Sequence, residues 1–361
     1  MIIKTLELKD YRNYESLEIN FGPGINILYG DNAQGKTNIL ESIYLAATTK
    51  SHRGTRDSDI IRFGEDEGHI RIMLFKNDVD TKLDIHLRKS RTKGIAIDGK
   101  KIKKASELLG LLNVVFFSPE DLNIIKNGPG ERRRFTDMEL CQLDDFYLYN
   151  LNNYNKIVNQ RNTLLKDVYF NPSLKETIEI WDSQLVSYGS KVIERRKTFV
   201  DQLNEVIGPV HEKLSGGRES LKIIYEPNVD IENYERELSA STERDIKSKM
   251  TNVGPHRDDF IFMTGDIDIR KFGSQGQQRT AALSLKLAEI EIVRKLINDT
   301  PVLLLDDVLS ELDSARQQFL LESIGEVQTI ITCTGVEDFI NSRLEIDKLF
   351  NISNGSLVSE Q

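Results

Sequence analysis

The sequence predicts an α/β fold with an inserted, mainly helical subdomain, and three observations lead there. Short apolar runs alternate with helical patterns towards both ends of the chain. A glycine-rich loop, Gly30 to Thr37, stands between an apolar run and an amphipathic segment. From about Glu131 to Asn204 the pattern becomes polar, long-period and poor in Gly and Pro.

Leu6 and Leu8 alternate with polar residues, and Leu17 to Phe21 does the same, so both read as half-buried strands. Ile25 to Tyr29 is a mostly apolar strand, and a helix pattern starts at Thr37 with Ile39, Leu40, Ile43 and Tyr44 on one face. Strands follow at Ile70 to Phe75, Leu83 to Leu87 and Ile95 to Ile97, the last closed by the hairpin signal Asp98-Gly99. Val114 to Phe117 is a further short strand. In the middle, Phe146, Tyr149, Asn153 and Ile157 step at helical intervals, as do Leu185, Tyr188, Val192 and Ile193. No heptad seam is sustained, which excludes a long coiled coil. Gly216-Gly217 ends the helices, and Leu221 to Tyr225 is strand-like. The final part predicts a helix from about Gln277, a strand Val302 to Leu305, a helix from Ser314, and strands Gln328 to Ile331 and Leu349 to Ile352. The expected division is an α/β lobe of residues 1–130 and 255–361, with an antiparallel β part, and a helical lobe of 131–254. There are no internal repeats and no low-complexity tract.

With 361 residues, 39% hydrophobic and 29% charged, the chain can build a real core. A net charge of -9 argues against a protein that coats nucleic acid over its whole surface, while leaving room for a local basic face. Cys141 and Cys333 are far apart and form no metal or disulfide pattern, the usage of a reducing compartment. The N-terminus is charged too early for a signal peptide, and no apolar run reaches a membrane span. These readings predict a cytoplasmic protein.

Gly30-Asp31-Asn32-Ala33-Gln34-Gly35-Lys36-Thr37 fits G-x-x-x-x-G-K-[ST]. Such a loop turns backbone N–H groups onto phosphates at the positive end of the following helix. Lys36 would neutralise the β- and γ-phosphates, and the Thr37 hydroxyl would take a place on Mg²⁺. Asn38 opens the helix beside them. Val302-Leu303-Leu304-Leu305-Asp306-Asp307 reads as a strand covered on both faces and ending in two carboxylates. At such an end Asp306 would hold Mg²⁺ through a water, and Asp307 would orient or deprotonate the attacking water. An Asp that only caps a helix is the competing reading. The phosphate loop in the same chain decides against it.

Ser274-Gln275-Gly276-Gln277 opens the long helix shortly before the carboxylate strand. The order of phosphate loop, signature, carboxylate strand and Ser310-to-Asp313 turn resembles the ABC-type ATPase head. In that class the signature of one molecule caps the γ-phosphate held by another. The stretch from Lys36 to Asp306 is long for a transporter subunit and far too short for a chromosome-structure protein.

At this length the chain resembles the RecF family of bacterial recombination and gap-repair proteins over nearly its whole extent. The resemblance rests on Asp10 to Tyr14, Asn32 to Glu41, Ser51-His52-Arg53 with Asp57 to Arg62, and Ser118 to Leu122. It rests also on Arg132 to Asp137, Gly254 to Asp259, and Ser274 to Arg279. It implies an ATP- and Mg²⁺-dependent homodimer on double-stranded DNA near single-strand/double-strand junctions, with slow, DNA-dependent hydrolysis. It implies cooperation with RecR and RecO to load RecA, in replication, repair and the SOS response. Three departures from the wider ABC pattern stand out. Asp307 occupies the place of the usual Glu, no Gln lies in Phe117 to Asp121, and no His follows Ile331-Thr332-Cys333-Thr334. The alternatives are a transporter ATPase subunit, which the span and the missing His oppose, and a nuclease with an ABC-type head. The second needs a cluster of acidic metal ligands that the sequence does not display.

Other polar residues read two ways. Arg12 and Asn13 contact nucleotide or form a polar strand end. Arg53 and Arg56 contact DNA phosphates or pair with Asp57 and Asp59. Lys100, Lys101, Lys103 and Lys104 form a cationic hairpin that meets DNA or is merely solvated. Arg132 to Arg134 contact phosphate or pair with Glu131 and Asp137. His256 reads as a structural hydrogen-bonding residue.

Overall fold

The computed structural model describes residues 1–325, 327–335 and 345–361. The chain begins with β1 (Ile2–Tyr11), β2 (Tyr14–Asn20), β3 (Ile25–Tyr29), α1 (Lys36–Thr48) and α2 (Asp57–Ile60). Next come β4 (Glu67–Lys76), β5 (Val79–Arg88), β6 (Gly94–Ile97), β7 (Lys100–Lys101) and β8 (Val114–Phe117). The middle holds α3 (Leu122–Lys126), α4 (Pro129–Leu143), α5 (Asp145–Phe170), α6 (Ile178–Leu214), β9 (Lys222–Glu226), α7 (Tyr234–Ala240) and α8 (Thr242–Ser248). It continues through β10 (Asp259–Thr264), β11 (Ile267–Asp268), α9 (Ile269–Phe272) and α10 (Gln275–Ile297). The last part is β12 (Val302–Asp306), α11 (Ser314–Ser323), β13 (Thr329–Cys333), β14 (Ile346–Ser353) and β15 (Ser356–Glu360).

Contacts divide the chain into two compact units, Met1–Asp121 with Glu289–Gln361, and Leu122–Ala288. The first unit contains two six-stranded sheets. One is antiparallel, in the order β2-β1-β4-β5-β6-β7. Its strands alternate as the sequence requires: along β4, Gly68, Ile70 and Ile72 are buried while Glu67, His69 and Arg71 face out. The other has the order β15-β14-β3-β13-β12-β8, all parallel except β15. One apolar cluster joins the inner face of the antiparallel sheet, α1 and the parallel sheet, with Leu6, Tyr11, Ile43, Leu304, Ile330 and Phe350 all fully buried. β12 and β13 are buried along their whole length and β3 as far as Leu28, as strands covered on both faces must be.

The second unit is built on α5 and α6, which pack along one another, and a small antiparallel sheet in the order β11-β10-β9. Its apolar cluster includes Tyr154, Ile157, Leu185, Ile193, Tyr234 and Leu238, with Trp181 partly buried against it. This unit takes in 122–130 and 255–288, segments the sequence grouped with the α/β lobe. The physical reason is a contact between segments far apart in the chain. Arg132 on α4 is buried and grips Asp259 on β10 with two nitrogens, at 2.7 and 3.0 Å, while donating to the Asn127 carbonyl at 2.7 Å. β10 then pairs along β9. Neither Glu131 nor Asp137 is the partner of Arg132; Asp137 pairs with Arg196 instead. The hairpins β10–β11 and β14–β15 were not expected from the sequence, although Asn354-Gly355 between β14 and β15 is a hairpin signal. No helix among the described residues is long and apolar enough to cross a membrane.

Candidate functional site

Three neighbouring parallel strands, β3, β13 and β12, end together, because Asp306 is in register with Thr332 and Cys333 with Tyr29. The phosphate loop leaves β3 at Gly30, whose φ of 147° suits glycine, and re-enters the helix at Gly35 with φ 113°. A Cβ at Gly30 would collide with the Ile352 carbonyl oxygen, and one at Gly35 would lie 2.7 Å from the Tyr14 hydroxyl. Asp31, Asn32 and Ala33 are exposed on the outer turn of the loop.

Lys36 folds back over this loop. Its ammonium donates to the carbonyls of Gly30 and Asp31, at 2.6 and 2.7 Å. Burial pushes the Lys36 ammonium below its ordinary value, while nearby negative groups, Asp307 and Asp306 among them, pull the other way. Thr37 Oγ1 donates to Asp306 Oδ1 at 2.8 Å, and Thr332 Oγ1 donates to the same oxygen at 2.8 Å. Burial raises the Asp306 carboxyl, and the two hydroxyls and the charge of Arg53 oppose that rise. A hydroxyl and a carboxylate in contact are an all-oxygen pair, the donor chemistry that a hard divalent cation takes. Asp307 is exposed and holds a left-handed φ of 52°, which Asp tolerates better than most residues. Its N–H donates to Thr332 Oγ1 at 3.0 Å, and Ser310 Oγ donates to its carbonyl at 2.8 Å. Asp313 caps α11, accepting from the Arg316 N–H at 3.0 Å.

The β1–β2 hairpin reaches the same loop through Asn13. Its Nδ2 donates to the Gln34 carbonyl at 3.0 Å, and its Oδ1 accepts from Asn38 Nδ2 at 2.8 Å. Arg12 behaves differently. It grips Glu41 on α1 through two nitrogens, at 2.8 and 2.6 Å, and donates to the Asp59 carbonyl and Thr55 Oγ1. Burial pushes the Glu41 carboxyl up, but hydrogen bonds from Arg12 and Ser51 outweigh it and leave the group below its usual range. Arg12 therefore braces α1 against β1 and α2.

Several residues that the sequence did not assign to the loop lie beside it. Thr332 joins Asp306 to Asp307. Asn354 and Gly355, in the turn of the last hairpin, donate their N–H groups to Gln34 Oε1 and Gln34 O, at 2.6 and 3.1 Å. Arg53 is exposed, donates to Asn38 Oδ1 at 3.4 Å, and is near enough for its charge to act on Asp306 and Glu41. Its place is beside the loop. The expected pairing of Arg53 and Arg56 with Asp57 and Asp59 does not occur: Asp57 pairs with Lys93, and Arg56 is exposed. Lys100 and Lys101 form β7, the exposed edge of the antiparallel sheet, where lysines also discourage edge pairing.

In the second unit Ser274, Gln275 and Gly276 are exposed at the start of α10, after an exposed Phe272. Ser274 and Gln277 form a reciprocal cap: Gln277 N–H donates to Ser274 Oγ at 3.2 Å, and Ser274 N–H donates to Gln277 Oε1 at 2.8 Å. His256 is structural, with Nδ1 2.6 Å from the Tyr154 hydroxyl and Nε2 2.9 Å from the Thr251 carbonyl. Among the described residues one further cluster has metal-ligating chemistry, Glu67, His69 and His86 on the outer sheet face. There Arg88 donates to His86 Nδ1 at 2.9 Å, so the ring proton sits on Nε2, which faces Glu67 at 2.8 Å. That is a hydrogen-bonded ladder, and the Arg88 charge opposes a cation.

A phosphate loop, a carboxylate on a neighbouring strand that meets it and a capped helix start of signature type define an ABC-type ATP-binding head. The family profile for the RecF/RecN/SMC N-terminal domain matches residues 2–356. The chain belongs to the RecF family. It is 60% identical to the DNA replication and repair protein RecF of Lachnospira eligens over all of both chains. It is 58% identical to that of Lachnoclostridium phytofermentans over 99% of each, and 45% identical to that of Clostridium botulinum over 99% of each. Among solved structures, that of the recombination mediator protein RecF with ATP, in the RecFOR pathway, superposes with a TM-score of 0.93 at 35% identity, covering 99% of this chain and 97% of the other. The Smc head domain of Pyrococcus furiosus shares the fold, with a TM-score of 0.58 at 19% identity, covering 99% of this chain and 96% of the other. The role is therefore DNA replication and repair, and the transporter reading is set aside.

Proposed function

We propose that this chain binds Mg–ATP on its phosphate loop and pairs with a second copy in the ATP state. The signature of each copy then completes the nucleotide site of the other. The ATP dimer grips double-stranded DNA near single-strand/double-strand junctions and cooperates with RecR and RecO in loading RecA. Slow hydrolysis, dependent on DNA, releases it. The observation that carries the reading is the meeting of Lys36, Thr37, Asp306 and Asp307 at one sheet edge, because these residues come from opposite ends of the chain.

Each residue has a distinct task. The Gly30-to-Asn38 backbone donates N–H groups to the phosphates, and Lys36 exchanges its two carbonyl partners for β- and γ-phosphate oxygens. Thr37 and Asp306 would hold Mg²⁺, which would supply charge neutralisation at the phosphates. Arg53 adds a second positive charge beside the loop, and Asn13 keeps Gln34 and Asn38 in place. Asp307 accepts a proton from, or orients, the attacking water. Its short arm predicts slow turnover. Ser274 keeps its hydroxyl proton free for an anion, since its oxygen accepts from Gln277 N–H. Arg56, Lys100 and Lys101 remain the proposed DNA contacts.

Two variants test the reading. Sedimentation should show monomer without nucleotide and dimer with Mg–ATP, and Ser274→Arg should bind ATP yet stay monomeric. Asp307→Asn should retain ATP affinity, slow turnover strongly and prolong the ATP dimer on duplex DNA. Turnover at the parent rate in Asp307→Asn would leave that carboxylate as a turn residue only.

A further inference from the structure

Gln277 does more than cap its own helix. While its Oε1 accepts from the Ser274 N–H, its Nε2 donates to Glu219 Oε1 at 3.0 Å. Glu219 lies in the loop that follows α6, just after Gly216 and Gly217, whose φ values are 66° and 75°. The other carboxylate oxygen of Glu219 lies 3.7 Å from Nε2 of His211, a fully buried residue in the last turn of α6. His211 Nδ1 is 2.9 Å from Ser284 Oγ, and the Ser284 hydroxyl donates its own proton to the Thr280 carbonyl at 2.7 Å. Ser284 can therefore only accept, which puts a proton on His211 Nδ1.

Gln277 and Ser284 are seven residues apart, two helical turns, and so share one face of α10. The end of α6 and the loop after it thus hold that face at two points, by a histidine below and a glutamate above. Of the two, the glutamate sits at the signature. An unrestrained glutamine amide rotates among several rotamers; one held by a carboxylate on its NH₂ side must present oxygen to Ser274.

We propose that Glu219 is a positioning residue for the signature. It fixes the Gln277 amide, which fixes the Ser274 N–H and hydroxyl, and it ties their geometry to the end of the 37-residue helix α6. This rests on the in-trans role of the signature proposed above. It adds that the competence of the signature depends on a contact outside the motif, in the loop after α6.

The test uses the full chain with Glu219→Ala, Glu219→Gln, Gln277→Ala, the double variant Glu219→Ala/Gln277→Ala, and Ser274→Arg as control. ATP affinity is read by titration of a fluorescent ATP analogue at concentrations below dimerisation. Self-association with Mg–ATP is read by sedimentation equilibrium. Glu219→Ala should leave ATP affinity unchanged and weaken the ATP dimer about tenfold, the loss of one hydrogen bond to a charged group. Glu219→Gln keeps an acceptor oxygen and should restore most of the dimer. The double variant should be no worse than Gln277→Ala alone, because both remove one interaction. A dimer of parental strength in Glu219→Ala, or additive losses in the double variant, would overturn the proposal while Ser274→Arg still showed the signature to be needed. Unimpaired dimerisation of Ser274→Arg would instead remove the in-trans reading, and the proposal with it.

Discussion

In the helical unit Arg196 is buried and every nitrogen of its guanidinium has a partner in the protein. Nε and Nη2 reach Asp137 at 3.2 and 2.7 Å, and Nη1 reaches Asp258 at 2.8 Å and the Pro255 carbonyl at 2.6 Å. Burial lowers the tendency of Arg196 to hold its proton, but Asp137, Tyr147 and Asp258 more than compensate. In the α/β unit Lys36 is also buried, yet its two partners are loop carbonyls and its ordinary protonation is weakened. Asp306 beside it has hydroxyl partners and is likewise pushed away from its charged form. Both units bury charge. In the helical unit the buried arginine is matched by carboxylates and fixes structure; around the phosphate loop the buried ammonium and carboxylate are held by carbonyls and hydroxyls.

The largest effect should come from breaking the saturated network. Arg196→Met leaves the buried Asp258 and the partly buried Asp137 without their cation, and should cost about 3–5 kcal/mol in denaturant unfolding. A loss below about 1 kcal/mol would mean that water reaches those carboxylates.

Acid should act on the same unit next. Burial holds the His256 imidazole neutral, bringing its pKa down to about 4. The unfolded chain takes up that proton near pH 6.5, so the stabilisation is complete above that pH and is lost as pH falls towards 4. The expected loss is about 3 kcal/mol over that window. Unfolding free energies between pH 7 and 4 should fall less steeply in His256→Gln, and an identical slope would remove His256 as the source.

Lys36→Met inverts the pattern. Without nucleotide its unfolding free energy should stay within about 1 kcal/mol of the parent, because no carboxylate depends on the ammonium for a hydrogen bond. ATP affinity should fall about 100-fold, as when one side of a charged, hydrogen-bonded contact is removed. A large loss of stability with unchanged affinity would place Lys36 with Arg196 among the structural charges.

The smallest contrast separates two arginines three positions apart. Arg53→Ala should weaken ATP binding about tenfold with little change in the salt dependence of DNA binding. Arg56→Ala should leave ATP binding alone and lower the salt slope by about one unit. The reverse result would return Arg53 to the DNA surface.

How much of this could be read from the sequence depends on how local each signal is. The phosphate loop is eight consecutive residues whose glycines and lysine each have a mechanical reason, so both the loop and the helix after it were legible. The run Val302 to Asp307 was legible because a doubly covered strand must be apolar to its end. Arg53 could not be placed from the sequence because an exposed arginine near Arg56 looks alike whether it faces a nucleotide or a duplex; its contact with Asn38 is what puts it beside the loop. Arg12 has the residue type of a phosphate contact, and the carboxylate that grips its guanidinium, Glu41, is 29 positions away. The unit boundaries were displaced for the same reason, since one bidentate contact between Arg132 and Asp259, 127 positions apart, outweighs any local change of pattern.

The sequence by itself determined the α/β class with its helical insert, the phosphate loop, the order of loop, signature and carboxylate strand, and the resemblance to RecF, because each is a property of neighbouring residues. Tertiary structure alone decided that Thr332 would share Asp306 with Thr37, that Asn354 and Gly355 would pin Gln34 from 320 positions away, and that Glu219 would hold Gln277. Each of those contacts consists of one or two hydrogen bonds between side chains or backbone groups of ordinary type. Such residues carry no pattern along the chain, and only the packing of sheets and helices brings their donors and acceptors within 3 Å or so of one another.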